Sequence, residues 1–148
     1  MKNQQEFYQI YDAYPYLKNP KKFIGQRPIT LRSSYEISFV FKFLDIHPSI
    51  LQWKNEDVVV LYEGLDGKIH RYFIDFWMKC KTKDNNIKEY LIEIKPSFQT
   101  IPPKKKGKNY EKRLKEYLTN LNKWQAAKEF AEQNNMQFLI LTEKELFS

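Results

Sequence analysis

The sequence predicts a single α/β domain in which a mixed central sheet of about four strands is flanked by helices. Three patterns predict this class. Residues 89–95 alternate as a β-strand does, residues 109–133 repeat apolar side chains at helical intervals, and residues 137–141 form a short apolar run. Strand, crossover helix and strand make a βαβ unit, so we expect the strands at 89–95 and 137–141 to lie parallel.

Size and composition fit one domain of an intracellular protein. The 148 residues are 42% apolar and 16% aromatic, which is ample for a hydrophobic core. A lone cysteine, Cys80, cannot form an internal disulfide, and no Cys/His cluster has zinc spacing. No apolar run is long enough to cross a bilayer, and the N-terminus lacks a signal-peptide pattern. We therefore expect a reducing, cytoplasmic setting and no membrane partner.

The net charge of +7 is concentrated in one stretch. Seven basic residues stand against the single acid Glu111: Lys104, Lys105, Lys106, Lys108, Lys112, Arg113 and Lys115. A local basic cluster favours a polyanionic partner, with nucleic acid the first candidate. The alternative is a solvated loop whose lysines only maintain solubility.

The first ordered element is predicted after residue 30. Residues 1–30 contain three prolines and no sustained period, so we predict an N-terminal arm, followed by a folded domain at residues 31–148. Ser33 and Glu36 form a capping box that starts an apolar helix, and Pro48 stops it. In this interpretation the Glu36 carboxylate binds the Ser33 amide, which gives it a structural role.

A hairpin is predicted in the middle of the chain. The β-branched run at residues 57–62 and a long strand at residues 69–79 flank Asp66-Gly67, a strong turn signal. On the long strand, Asp75 is expected to share one face with Ile69, Arg71, Phe73 and Trp77. An acid is out of place there, because Asp is depleted in strands.

Two more charges interrupt the following strand. Glu93 and Lys95 fall on the same face as Leu91, and burying such charges is costly unless a partner, a metal or a reacting anion compensates. If this strand pairs with the preceding one, the Asp75 and Glu93 carboxylates meet at one end of the sheet. The alternative is an exposed ion pair, which contributes little.

This arrangement suits a metal-dependent phosphodiesterase, which needs carboxylates around a divalent ion and a cation near the attacking water. Asp75 and Glu93 are candidate Mg²⁺ ligands, and Lys95 is a candidate for activating or positioning the water. Glu36 could add a third carboxylate if its helix packs over the sheet. The residues themselves favour a nuclease only slightly over a nonenzymatic nucleic-acid binder.

Several motifs in combination resemble a known family. They are Arg32–Glu36, Leu44-Asp45 with Pro48, Trp53 with Glu56, Gly67–Trp77, Ile92–Pro96 with Gln99 and Pro102-Pro103, Lys123-Trp124 with Ala126-Ala127, and Leu141–Glu143. Across roughly residues 30–146 the chain resembles the restriction-endonuclease-like PD-(D/E)xK superfamily. More specifically it is similar to the head-completion (neck) nucleases of tailed bacteriophages, and more distantly to TnsA-type endonucleases.

The resemblance implies a restriction-endonuclease-like core and DNA cleavage that depends on Mg²⁺ or Mn²⁺, leaving 3′-hydroxyl and 5′-phosphate ends. It puts Glu36, Asp75, Glu93 and Lys95 on the family's catalytic positions, with the three acids as metal ligands. Ile74 stands where the superfamily often has proline. The resemblance also implies phage head, portal or neck proteins as partners, and a location in the host cytoplasm or on the virion.

Further residues are expected around this site. Those predicted to contact DNA phosphates are Lys104, Lys105, Lys106, Lys108, Arg113 and Arg71, although Arg71 could instead pair with Asp75. Glu56 is expected either to orient Lys95 or to open a strand, and Gln99 to line the rim. Two alternatives to an autonomous nuclease remain open: a structural head or neck component with a vestigial site, and a TnsA-like cleavage subunit that a partner targets.

Overall fold

The computed structural model describes residues 9–147. Its strands, in chain order, are β1 Ile50–Asn55, β2 Val59–Glu63, β3 Ile69–Phe73, β4 Phe76–Lys81, β5 Ile87–Ile94 and β6 Gln137–Leu141. Its α-helices are α1 Ser34–Phe39, α2 Tyr110–Gln133 and α3 Glu143–Leu146. The central sheet has the order β1-β4-β5-β6, with only β5 and β6 parallel. The predicted α/β class, the mixed four-stranded sheet and the parallel last strand are confirmed.

The strand predicted at residues 69–79 is broken in two, which corrects the sequence analysis. Its first part, β3, pairs with β2 in a separate two-stranded sheet, whereas its second part, β4, pairs with β1 in the central sheet. The break is caused by hydrogen bonds from residues at the end of β1. The carbonyl of Asp75 accepts hydrogen bonds from the Glu56 amide at 3.0 Å and from Asn55 Nδ2 at 3.2 Å, which fixes a bend in both segments.

The predicted common face of this strand is therefore wrong. Ile69, Arg71 and Phe73 are exposed on the two-stranded sheet, while Trp77 is buried in the central one. The bend at Asp75 separates them. The predicted hairpin turn is confirmed, with Gly67 at φ 78°, a conformation that favours glycine.

Hydrophobic clusters cover both faces of the central sheet. On one face Trp53, Phe76 and Ile92 pack in a cluster with Phe39 of α1. The cluster on the other face contains Trp77, Leu91 and Ile74 from the strands, Trp124, Ala127 and Ala131 from α2, and Val60 and Tyr72 from the hairpin. The alternation predicted for residues 89–95 is thus realised.

Helix α1 begins as predicted. Ser33 Oγ accepts a hydrogen bond from the Glu36 amide at 3.2 Å, and the helix continues as a wider turn through Val40–Leu44. The Glu36 carboxylate, however, accepts from the Arg32 amide at 3.1 Å and not from that of Ser33. The predicted reciprocal capping box is therefore only half formed. A complete one starts α3, where Thr142 and Glu145 cap each other.

Helix α2 is buried over its second half only. Among the apolar side chains that recur at helical intervals, Trp124, Ala127 and Ala131 are buried, whereas Leu121 is exposed. The helix contacts β2, β5 and β6, and its first half is not covered by them to the same extent. Among the described residues, no helix combines the length and the apolar character that crossing a bilayer requires.

The N-terminal segment from residue 9 to residue 31 packs on the core. Ala13, Ile29 and Leu31 are fully buried, and the buried Asp45 carboxylate accepts hydrogen bonds from the amides of Lys18 and Asn19 at 2.7 and 2.9 Å. Residues 1–8 of the predicted arm lie outside the described part. The division of the chain at residue 30 stays a prediction.

Two isoleucines test whether this segment supports the fold. Ile29→Ala removes a side chain that is fully buried and should lower the free energy of unfolding by about 2–5 kcal/mol. Ile24→Ala, in the same segment but 44% exposed, is the matched control and should cost clearly less. Urea denaturation measures both, and equal effects would contradict a core role for Ile29.

Candidate active site

The bend between β3 and β4 places Asp75 beside the end of β5. Its Oδ2 accepts a hydrogen bond from the Ile94 amide at 2.8 Å. Burial raises the pKa of the Asp75 carboxyl group well above its usual value, and the neighbouring charges of Glu93 and Glu36 raise it further. The Ile94 amide and Lys95 oppose this rise without cancelling it. Asp75 therefore lies in a region of excess negative potential.

Glu93 is the most deeply buried acid of this region, with 5% of its surface exposed. The hydroxyl group of Tyr72 donates a hydrogen bond of 2.6 Å to its Oε1, and Lys95 Nζ lies 3.6 Å from its Oε2. Burial and the adjacent Glu93 carboxylate raise the pKa of Tyr72, so the phenol keeps its proton and acts as the donor. A hairpin residue and a strand-end residue thus hold Glu93 from two sides.

Lys95 connects the buried acids with the surface. Its amide donates to the Leu141 carbonyl at 3.0 Å, which continues the pairing of β5 with β6. About a quarter of its side chain is exposed, and it lines a cavity of about 640 Å³ against α2. The ammonium group therefore meets both Glu93 and whatever enters this cavity.

Glu36 approaches the cluster from α1. Burial raises the pKa of its carboxyl group, the Arg32 amide lowers it, and the charges of Glu56 and Glu93 raise it. Glu36 and Glu93 are thus close enough to repel each other. Glu56, which was expected to orient Lys95 or to open a strand, instead forms an ion pair with the Arg32 guanidinium group at the end of β1.

The carboxylates offer the hard oxygen donors that Mg²⁺ and Mn²⁺ prefer. Asp75 Oδ1 and Glu93 Oε2 accept no hydrogen bond from the described residues. Within residues 9–147, however, no group of three or more His, Cys, Asp or Glu side chains is placed to hold a metal ion. Asp75 and Glu93 supply two carboxylate donors, and the complete predicted triad is not gathered around one point.

The predicted DNA-contacting residues occupy two different surfaces. Lys104, Lys105, Lys106 and Lys108 are exposed in the loop before α2, and the Arg113 guanidinium group donates to the Lys106 carbonyl at 2.8 Å. Arg71 lies on the outer side of the hairpin with its guanidinium carbon 5.5 Å from the centre of the Phe73 ring. Within the described residues it has no ion pair with Asp75. Gln99, predicted at the rim, lines the cavity that contains Lys95.

Sequence reasoning missed three residues that position this site. Tyr72 binds Glu93, Asn55 binds the Asp75 carbonyl, and Glu143 accepts hydrogen bonds from the amide and hydroxyl groups of Ser97, just after Lys95-Pro96. One signal was available for Tyr72: a tyrosine on a buried strand face needs a partner for its hydroxyl group. Asn55 and Glu143 act across long sequence separations that no local pattern reveals.

Comparison with known proteins identifies the family of this chain. Residues 47–143 match the family described as TnsA-like endonuclease N terminal. The head completion nuclease of Enterobacteria phage T4 is 38% identical over 135 residues, covering 85% of this chain and 87% of the phage protein. This chain belongs to the TnsA-like endonuclease family. The predicted resemblance is confirmed. No solved structure is significantly similar to the chain.

The family match separates the predicted site residues of this TnsA-like endonuclease. Asp75, Glu93 and Lys95 lie inside residues 47–143, whereas Glu36 lies before them.

Removing the Asp75 charge should stabilise the fold. A carboxyl group whose pKa is raised by folding binds more protons when folded, so it destabilises the protein as pH rises above the unfolded pKa of about 3.9. Asp75→Asn keeps an acceptor for the Ile94 amide and should raise Tm at pH 8 by a few degrees, on the order of 1 kcal/mol. The gain should disappear at about pH 3, where the carboxyl group is protonated in both states.

Calorimetry across this pH range measures the difference. Asp84→Asn, in the exposed turn between β4 and β5, is the control and should change Tm little at any pH. If Asp75→Asn lowered Tm at pH 8, the carboxylate would be compensated within the protein.

Proposed function

We propose that this protein is a DNA endonuclease dependent on Mg²⁺ or Mn²⁺, which hydrolyses phosphodiester bonds while a phage head filled with DNA is completed. The observation that carries the proposal is the contact of Lys95 with the buried Glu93 carboxylate, beside Asp75 and at the wall of an open cavity. Family membership supports nuclease chemistry. The similarity to the phage T4 head completion nuclease supports the role in head completion. Portal or neck proteins are the partners that we propose for this role.

Asp75 and Glu93 are the residues that would hold the metal ion. Two carboxylates suffice for Mg²⁺, which commonly keeps several waters and takes further oxygen ligands from the substrate phosphate. When bound, the ion lowers the pKa of water and stabilises charge on the phosphate. Glu36 contributes negative potential from α1 and assists the two strand acids.

The remaining residues of the site act on the water and on the substrate. Tyr72 fixes one oxygen of Glu93 and directs the other toward Lys95. The Lys95 ammonium group orients the attacking water in line with the scissile bond. Water attacks phosphorus, the bond to the 3′ oxygen breaks, and that oxygen takes up a proton. The products carry a 3′-hydroxyl and a 5′-phosphate group.

A plasmid-nicking assay with Mg²⁺, Mn²⁺ or EDTA tests the enzyme directly. The wild-type protein should nick with a divalent ion and not with EDTA, and Glu93→Gln and Lys95→Ala should each slow nicking by about 10²-fold or more. Lys88→Ala, exposed toward the other end of β5, is the control and should leave the rate unchanged. Wild-type protein that never nicks alone would favour a partner-dependent subunit or a vestigial site, and adding neck proteins separates the two.

A second measurement separates metal binding from chemistry. If Mn²⁺ binds only the folded state, it should raise the wild-type Tm. At a hundredfold excess of Mn²⁺ over Kd, the free energy of unfolding should rise by about 2–3 kcal/mol. Asp75→Asn should abolish this rise, whereas Lys95→Ala should retain it. An equal rise in all three proteins would place the ion elsewhere.

The lysine-rich loop is proposed to hold the DNA backbone without reading its sequence. Replacing Lys104, Lys105, Lys106 and Lys108 by glutamine should weaken DNA binding and reduce its salt dependence, by about 0.9 in the log–log slope for each phosphate that is no longer neutralised. Glutamine at Lys81, Lys83 and Lys88, also exposed but at the far end of β4 and β5, is the control. An unchanged slope in the first variant would remove the loop from the DNA interface.

A further inference from the structure

A second cavity lies beside the candidate active site and has no part in the chemistry proposed above. It measures about 660 Å³ and is bounded by the turn Ser97–Thr100, the loop that follows it and the first half of α2. The apolar residues of its wall are Phe98, Ile101, Pro102, Pro103 and Tyr117. We call it the aromatic cavity.

The apolar wall of the aromatic cavity is open to solvent. Phe98 is 70% exposed and Ile101 is 59% exposed, so neither side chain is part of the core. Large apolar side chains that are exposed together beside a charged surface mark binding sites, because leaving them in water is unfavourable. The volume lies within the range of about 300–1,000 Å³ typical of pockets for small ligands or single groups.

The charge around the aromatic cavity indicates the chemistry of its ligand. Lys104, Lys106 and Arg113 line it, against the single acid Glu116. A flat apolar group that carries negative charge fits this wall better than a neutral apolar side chain of a protein partner. A nucleobase with its attached phosphate has that combination.

The aromatic cavity adjoins the cavity that contains Lys95. Gln99, Glu116 and Asn120 line both, so they form the boundary between them. A DNA strand with one phosphate at Lys95 can therefore place a neighbouring nucleotide in the aromatic cavity without leaving the protein surface.

We propose that the aromatic cavity binds an unpaired base of the substrate strand, next to the phosphate that is cleaved. Phe98 and Tyr117 supply aromatic faces for stacking, and every base has a face that can stack. A base inside an intact duplex is already stacked on its neighbours, so the site selects DNA with a frayed end, a tail or a bulge. This inference rests on the proposed nuclease site and adds its substrate class.

The test compares the affinities of two labelled DNA molecules in EDTA, where no cleavage occurs. One is a blunt duplex, and the other is the same duplex with a short single-stranded tail that carries a fluorescent base analogue. The wild-type protein should bind the tailed molecule more tightly and quench the analogue. Phe98→Ala should weaken binding of the tailed molecule by about tenfold, leave duplex binding unchanged and abolish quenching.

Two further variants control for fold and for general apolar contact. Phe98→Tyr keeps an aromatic face and should retain the preference for the tail. Tyr16→Ala removes an aromatic side chain of matching exposure, 69%, from the N-terminal segment and should change neither affinity. Because Phe98 is largely exposed, its substitution should leave Tm unchanged.

Equal wild-type affinities for the two DNA molecules would overturn the inference, as would a Phe98→Ala variant that binds both like the wild type. Nicking activity separates this failure from failure of the proposed function. A protein that nicks plasmid but ignores the tail is a nuclease without the base site, and a protein that prefers the tail but never nicks has the base site without the enzyme.

Discussion

The rest of the structure depends on holding the Asp75 and Glu93 carboxylates close together where they are largely shielded from water. Taking carboxylates out of water costs several kcal/mol, and like charges beside each other add to that cost. Each contact around the pair offsets part of it: the Ile94 amide on Asp75, and Tyr72 and Lys95 on Glu93. The raised pKa of Asp75 means that this compensation is incomplete. A carboxyl group with a strongly raised pKa is typical of a functional site.

The bend between β3 and β4 brings those contacts together. If residues 69–81 ran as one straight strand, the β4–β5 register would place Tyr72 opposite Pro96, beyond Glu93. Asn55 and Glu56 fix the bend by binding the Asp75 carbonyl, and Glu56 takes a positive φ of 53° to do so. That conformation is uncommon for residues other than glycine and is unfavourable without support from its surroundings. The strained backbone of Glu56, just after β1, thus helps to place the Tyr72 side chain of β3 at the site.

The chain's own patterns predict the acids and the lysine but not the geometry around them. Asp75, Glu93 and Lys95 stand out because charges in apolar alternation are conspicuous along a single strand. The break at Asp75 is harder to predict, since residues 69–79 contain no glycine or proline and the residues that bind the Asp75 carbonyl lie about twenty positions earlier. The same limit applies to Glu36, whose sequence pattern indicates a cap but not which amide its carboxylate binds. Local periodicity specifies strand faces, whereas long-range hydrogen bonds decide where a strand ends.

Helix α2 shows how an incorrect prediction of burial can point to function. Its apolar period runs through Tyr117 and Leu121 to Trp124, and the pattern alone predicts one continuous buried stripe. The 24-residue helix is longer than the strands β5 and β6 beside it, and only its second half is packed while its first half borders the open cavities. Conflicts between local pattern and global fold are expected at functional sites, where stability is given up for contact with a ligand. The first half of α2 contributes Lys112 and Lys115 to the cavity that contains Lys95, and Tyr117 to the aromatic cavity. This combination suits a DNA strand that is bound through its phosphates and through the face of one base.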